Sequence, residues 1–356
     1  PCAVLAEEIE TPGEGQIRGL ITHAGNPVLS TPNGARLDRA LAGLDFMVAV
    51  DIYRNETTRH AHIFLPTSFG LERDHYDLAL YALAVRNVAR YAKPALAAPP
   101  GVRQDFDVLT DLAQRILQKG GGKQKRRVAL TVRAARALGA RRILDGLLRA
   151  GPHGVLRGGR MSLAALERAP HGVDLGPLEP RLPALLGTKT KTIRLAPAIF
   201  LGDMPRLARD VDAAAQPKTT PGTAARELLL FGRRQLRSNN SWMHNSQRLV
   251  KGRETCTLLM HPDDARAHGL ADGGRVRVAS RVGAVEVRLE VTDHVARGTV
   301  SLPHGWGHHR PGTKLQTATA HAGASVNDLT DDAFVDALSG NAAFSGVPVE
   351  VQAAAG

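Results

Sequence analysis

Apolar positions enter this chain in short runs broken by turn residues, and their spacing changes twice along its length. Residues 17–24, IRGLITHA, have the composition of a short strand, and Gly25-Asn26-Pro27 forms a corner at its end. From Asn33 the apolar residues Leu37, Ala40, Leu41 and Leu44 follow helical spacing, with Asn33 placed to cap the helix. DFMVAVD is a near-continuous apolar run that ends on Asp51, and HIFLP is a shorter one closed by Pro66. Strand, helix, strand, turn and strand at these intervals predict a βαβ unit with a parallel sheet. In such sheets ligands bind beyond the carboxyl ends of the strands, where the Gly25 corner and Asp51 both fall.

Residues 103–118 read as an amphipathic helix through Phe106, Leu109, Leu112, Ala113 and Ile116. The stretch 119–127 reads as a Gly- and Lys-rich link, and a second helix is expected over about 128–149. Pro and Gly then recur up to Gly222, which predicts a connector wrapped over a surface and without a core of its own. Beyond residue 225 the period becomes two. RVRVASRVGAVEVRLEV alternates almost strictly around a turn at Gly283, and Pro262 and Gly269 bracket one short helix. Many short strands with few helices predict a closed β-barrel. The expected domains are therefore 1–118, 119–222 and 223–356.

Charge modifies this picture in one place. The net charge is +12, and the segment from Lys119 to Arg142 holds nine basic residues and no acid. Such a surplus attracts anions of any kind. No aromatic residue interrupts the run to stack on bases, so a solvated basic face is the expectation and nucleic acid is not an expected partner. No apolar run approaches the ~20 residues of a membrane span, and no secretory signal is seen at the first residues, so a cytoplasmic location without a membrane partner is expected. Two isolated cysteines, Cys2 and Cys256, fit a reducing compartment and lack iron–sulfur spacing. Pro1 in place of Met marks either a processed end or a boundary within a longer chain.

Three stretches could carry chemistry. FGRRQLRSNNSWMHN places Gly232, Arg233, Ser238, Asn239 and Asn240 just after a strand, a combination of guanidinium forks and small polar groups that suits phosphate oxygens. SLPHGWGHHRPG offers three histidines, but its glycines and proline exclude helical ligand spacing and no carboxylate or thiol lies nearby. A loop packing against a flat ligand, or a plain surface loop, remains. SVNDLT sets Asn327 in a turn, as a capped turn or a contact. Phosphate-binding P-loop, dinucleotide Gly-x-Gly-x-x-Gly, nucleophile-elbow and zinc-protease motifs are all missing from the sequence.

Taken in order, GNPVLSTPNG, VDIYRNETTRHAHIFLP, LERDHYDL, FGRRQLRSNNSWMHN, HPDDARAHGLADGGRVRVASRVG, SLPHGWGH and VNDLT resemble the C-terminal half of a molybdopterin oxidoreductase. That group includes formate dehydrogenases, nitrate reductases and dimethyl sulfoxide reductase. The resemblance spans essentially the whole chain and is weakest over 119–220. It implies an α/β fold, with a Rossmann-like parallel-sheet part followed by a C-terminal double-psi β-barrel. It also implies a molybdenum cofactor of two molybdopterin guanine dinucleotides (bis-MGD). On matched positions Gly25, Asn26, Pro27, Asp51, Arg73 and Asp105 would contact one nucleotide. Gly232, Arg233, Ser238, Asn239 and Asn240 would hold pterin and pyrophosphate, and Asn327 would contact the second dinucleotide.

Two positions depart from the pattern: His62 stands where relatives often have Asp, and no Lys stands near Phe344 and Ser345. In the family the iron–sulfur cysteines and the molybdenum ligand lie N-terminal to this region. The resemblance therefore implies no catalytic residue and no metal ligand here, no turnover by this chain alone, and a partner that carries the N-terminal half in the same enzyme or a separate subunit. The alternatives are a stand-alone, non-catalytic dinucleotide-binding protein or a degenerate remnant, and a nucleic-acid-binding protein using residues 119–142.

Overall fold

The structure is a computed structural model that describes residues 2–119, 123–215 and 227–354. It divides into two compact units, Pro1–Leu65 with Ala196–Gly356, and Pro66–Leu195.

The first unit begins with a three-stranded sheet in the order β1 (Gly19–His23), β2 (Phe46–Asp51), β3 (Ile63–Pro66). Strands β1 and β2 are parallel, with Gly19 opposite Phe46 and His23 opposite Val50. Helices α1 (Leu5–Glu10), α2 (Pro27–Ser30) and α3 (Gly34–Ala42) cover it. Asn33 caps α3 as expected, its side chain accepting the Arg36 N–H at 3.2 Å. The apolar face of α3, Leu37, Ala40 and Leu41, packs with Ala6, Ile9, Val28, Leu44 and Met47 in one core cluster. Every residue of β2 after Phe46 is buried, which explains its unbroken apolar run.

The second unit contains two small antiparallel pairs, β4 (His75–Tyr76) with β6 (Tyr91–Ala92), and β5 (Arg86–Ala89) with β7 (Val173–Pro177). Helices α4 (Asp105–Gln118), α5 (Lys123–Ala150) and α6 (Leu163–Glu167) complete it. Residues 120–122 of the expected Gly- and Lys-rich link lie outside the described residues, but from Lys123 the chain is already helical. Gly139 interrupts α5 at φ 74°, so two helical pieces stand where the periodicity suggested one. The part of the connector that follows α5 is not coreless. Met161, Leu163 and Leu166 are buried with Ala89, Tyr91 and Leu148, and Val173 and Leu175 pack against them. The Pro and Gly residues that suggested a wrapping loop instead separate short elements, each with one apolar side.

Beyond that unit, α7 (Ala198–Ala215) is a helix where a loop was expected, and it carries Pro205 inside. The barrel then closes in the order β10 (Arg275–Ala279), β11 (Ala284–Val291), β9 (Thr257–Met260), β12 (Thr299–Pro303), β8 (Glu227–Arg233), β13 (Ser345–Ala353). β11 runs parallel to β9 and β12 parallel to β8, while the other pairs are antiparallel. Leu228 and Leu230, Leu258 and Met260, Val276 and Val278, Val287 and Leu289, Val300 and Leu302, and Val347, Val349 and Val351 fill one core. Alternate residues pointing inward from all six strands are what a period of two produces when a sheet closes on itself. Six strands with this mixture of parallel and antiparallel pairs fit the expected double-psi barrel.

Candidate cofactor-binding site

At the end of β1 the chain turns through Ala24, at φ 49°, whose N–H donates to the Val50 carbonyl at 3.0 Å. The left-handed residue of the corner is thus Ala24, not Gly25; a Cβ built on Gly25 would meet nothing closer than 3.7 Å. Pro27 opens α2, where its missing N–H costs nothing. The Asn26 side chain is fully engaged. Its amide nitrogen donates to Glu56 Oε2 at 2.7 Å and approaches Ser241 Oγ at 3.5 Å, and its oxygen accepts from Thr57 Oγ1 at 2.8 Å. Thr57 Oγ1 in turn accepts the Val28 N–H at 3.0 Å. Asp51, at the end of β2, is 7% exposed, and its Oδ1 accepts the Ile52 and Tyr53 N–H groups at 2.6 and 3.3 Å. Burial raises its pKa above the ordinary carboxylate value, against the pull of these backbone bonds.

The other half of the site is the mouth of the barrel. Arg233, at the end of β8, donates to the Ser301 carbonyl at 2.5 Å and the Thr257 carbonyl at 2.7 Å, lacing β8, β12 and β9 together. Desolvation lowers its pKa from the usual guanidinium value. Gly232 beside it is exposed, with open space where a Cβ would stand. Ser238 is buried and donates to the Gln235 carbonyl at 3.0 Å. Asn239 and Asn240 are exposed and both left-handed, at φ 39° and 61°. Among the described residues their backbone N–H groups have no acceptor, and the Arg237 guanidinium has no hydrogen-bond or ion-pair partner. Arg234 donates to Asn240 Oδ1. A row of uncommitted N–H donors beside a free guanidinium suits an anion.

The histidine-rich loop closes over this row. Gly305 sits at φ 93°, and a Cβ there would overlap the Asn240 carbonyl oxygen, so only glycine permits the approach. The His304 N–H donates to the Arg233 carbonyl at 2.9 Å, and burial with Arg234 nearby pushes the His304 pKa down to about 4. Trp306 is buried and stacked on His244 at 4.0 Å. His308 Nδ1 meets Glu56 Oε1 at 2.8 Å, and its Nε2 meets His244 Nδ1 at 2.9 Å. Among the described residues no group of three or more His, Cys, Asp or Glu could hold a metal ion.

Asn327 is 1% exposed; its amide donates to the Leu29 carbonyl at 2.7 Å and fastens the Val326–Asp328 turn to α2. Arg310 supports the same region by bridging Asp38 and Asp328 at 3.2 and 2.8 Å. Arg73 and Asp105 belong to the second unit, where they form an ion pair and Thr67 donates to Asp105. The fold therefore gathers Asn26, the Asn239–Asn240 loop and Asn327 around shared contacts within one unit. Glu56, His244 and His308 were not singled out as site residues from the sequence, because their partners lie up to 252 residues away in the chain.

Residues 3–115 match the family described as Molybdopterin oxidoreductase, and residues 228–348 match the Molydopterin dinucleotide binding domain. The assimilatory nitrate reductase catalytic subunit of Bacillus subtilis is 24% identical over 304 residues, 84% of this chain and 39% of its own length. The dimethyl sulfoxide/trimethylamine N-oxide reductase of Rhodobacter capsulatus is 25% identical over 336 residues, 86% of this chain and 38% of its own. The chain thus spans about two fifths of these relatives. Acetylene hydratase from Pelobacter acetylenicus shares the fold with a TM-score of 0.70 at 16% identity, over 99% of this chain and 46% of that one. Two separate regions of the chain thus match molybdopterin families, residues 3–115 the molybdopterin oxidoreductases and residues 228–348 the molybdopterin dinucleotide-binding domain.

Proposed function

We propose that this chain is the portion of a molybdopterin oxidoreductase that holds the bis-MGD cofactor, with the metal ligand and any iron–sulfur cluster carried by the N-terminal half of the enzyme or by a separate subunit. The observation that carries the reading is the barrel mouth. Among the described residues the N–H groups of Asn239 and Asn240 and the Arg237 guanidinium have no partner, and Gly232, at the end of β8 in the same segment, leaves open space where a side chain would stand. Buried polar atoms that have no partner among the described residues, Trp306 Nε1 and Ser325 Oγ, also fit an added polar ligand.

The bound cofactor supplies two-electron redox chemistry at molybdenum, and the chain supplies binding and electrostatics. Asn239 and Asn240 would donate backbone hydrogen bonds to phosphate oxygens, and Arg237 would neutralise their charge. Asp51 would accept hydrogen bonds from guanine or ribose at the sheet end. Asn26 and Asn327 would act through the chain, keeping the corner and α2 in place. Arg73 and Asp105 are proposed on the nucleotide by their matched positions, and the three strands β1–β3 as the Rossmann-like part.

A second reading, a non-catalytic dinucleotide-binding protein, is favoured by one relative. The "Menaquinone reductase, molybdopterin-binding-like subunit" of Nitratidesulfovibrio vulgaris is 26% identical over 298 residues.

The deciding experiment expresses the chain in a host that makes the guanine dinucleotide cofactor, then assays released GMP, oxidised pterin and molybdenum. Near-stoichiometric GMP, reduced at least tenfold in an Asp51→Asn, Arg237→Ala double variant, is the expected result. Folded protein that carries neither GMP nor pterin, alone and when co-expressed with the N-terminal half of a relative, would sink the proposal.

A further inference from the structure

Three ionisable side chains form a buried row behind the barrel mouth, and the binding scheme above uses none of them. Glu56 and His308 are 0% exposed and His244 is 2% exposed. Glu56 Oε2 holds the Asn26 amide of the corner, Glu56 Oε1 holds His308 Nδ1, and His308 Nε2 meets His244 Nδ1 at 2.9 Å. The last nitrogen, His244 Nε2, is buried with no hydrogen-bond partner among the described residues, and the Gly305 carbonyl lies near this ring. His304 is the other charged-capable group close to His244, and Trp306 covers its ring.

Counting hydrogens shows that the row holds one proton beyond a carboxylate and two neutral imidazoles, and the surroundings decide where it sits. Glu56 accepts from the Asn26 amide on its other oxygen, which keeps it a carboxylate. Burial keeps His244 neutral, its pKa pushed down to about 4. One hydrogen must lie between His308 Nε2 and His244 Nδ1. Were His308 neutral, with its Nδ1–H directed at the carboxylate, that hydrogen would come from His244. A bare lone pair on His244 Nε2 would then be buried against a carbonyl oxygen, an arrangement with no compensation. With a hydrogen on both nitrogens of His308, every contact is satisfied. His308 donates to Glu56 and to His244 Nδ1, and His244 Nε2–H faces the Gly305 carbonyl.

We infer that His308 is held as an imidazolium by the Glu56 carboxylate, and that this buried pair with His244 is a positioning device. It ties the Gly25-Asn26-Pro27 corner to the Asn239–Ser241 and Gly305 loops before any ligand arrives. Buried ion pairs add little net stability but can specify one geometry. The left-handed pair at Asn239 and Asn240 is a geometry that needs specifying. The dinucleotide reading supplies only what these loops present themselves to; the proton count stands apart from it.

Two readouts test the inference without ligand. In protein labelled with nitrogen-15 histidine at pH 7, His308 is expected to show two protonated ring nitrogens and His244 a hydrogen on Nε2; a neutral His308 overturns the assignment. Glu56→Gln keeps the shape and removes the charge. Amide exchange at Met243, His244, His304, Gly307 and His308, whose N–H groups are hydrogen-bonded, is expected to rise at least tenfold while the strands of the barrel keep their protection. Unchanged loops, or exchange raised equally through the strands, would reject a positioning role. His244→Phe keeps the Trp306 stack, removes the acceptor and should give the same local rise, which covers the case of a misfolded Glu56 variant. Absence of nucleotide affinity would remove the proposed function and leave both readouts intact.

Discussion

At the scale of single residues, most of the polar groups that the sequence singles out are spoken for within the chain. Asn26, Arg233 and Asn327 each spend their donors on carbonyl or carboxylate oxygens of distant segments. What they leave for a ligand is backbone, at Asn239 and Asn240. Two histidines beside that backbone titrate far below their usual range. His244 and His304 are both pushed to about 4, chiefly by burial. The sign follows directly: an unfolded histidine takes up a proton near pH 6.5 that the fold refuses until about pH 4. Stability therefore falls as pH drops through that interval. Glu56, whose pKa is lowered chiefly by its bond to His308 against the penalty of burial, adds a further loss below its ordinary value of 4.5. The melting temperature is expected to fall by roughly 5 °C or more between pH 7 and 5. His304→Asn should flatten that slope by about half, since one of two such groups is gone.

At the scale of elements, closure of loops over the barrel mouth depends on one residue without a side chain. Gly305→Ala would place a methyl group against the Asn240 carbonyl in a left-handed backbone. A cost of about 1–3 kcal/mol is expected from the strain. Chemical denaturation would read it as a lowered midpoint with an unchanged slope. Cofactor content should fall as well, because the Asn239–Asn240 loop is what the methyl displaces. Much of the element layout was legible in the sequence. β1, α3, β2, the cap at Asn33 and the alternating strands β10 and β11 announce themselves, because their partners are close in the chain or their period is strict. Helix α7 did not, since Gly202 and Pro205 interrupt a pattern that Ile199, Phe200, Met204, Leu207 and Val211 otherwise maintain. β7 also escaped notice; it pairs with β5, which lies more than 80 residues earlier.

At the scale of the molecule, the net charge of +12 is concentrated rather than spread. Lys125, Arg126, Arg127 and Arg133 on α5 are exposed, and among the described residues none has an ion-pair partner. Other arginines of the same helix are engaged: Arg136 pairs with Asp111, and Arg141 with Asp74 and Glu167. A polyanion column should therefore hold the protein chiefly through the first group. Arg126→Glu, Arg127→Glu and Arg133→Glu together are expected to lower the salt needed for elution by about half, with no change in cofactor content. An unchanged elution would place the anion affinity elsewhere, the barrel mouth being the next candidate. Among the described residues, no helix is long and apolar enough to cross a membrane.

The sequence by itself determined the local elements and the order of motifs that carries the family resemblance, because hydrophobic period, caps and turn residues act over a few neighbours. It also located the corner and the Asn-rich loop. Only the tertiary structure decided which polar atoms in those segments are free. Glu56 and His308 stand 252 residues apart, in a turn and a Gly-rich loop that each resemble solvated chain. Their pairing follows from the packing of the β1–β3 layer with the barrel inside one unit. A contact of that separation leaves no trace in the local pattern of either segment. Its energy arises only when both are removed from water together.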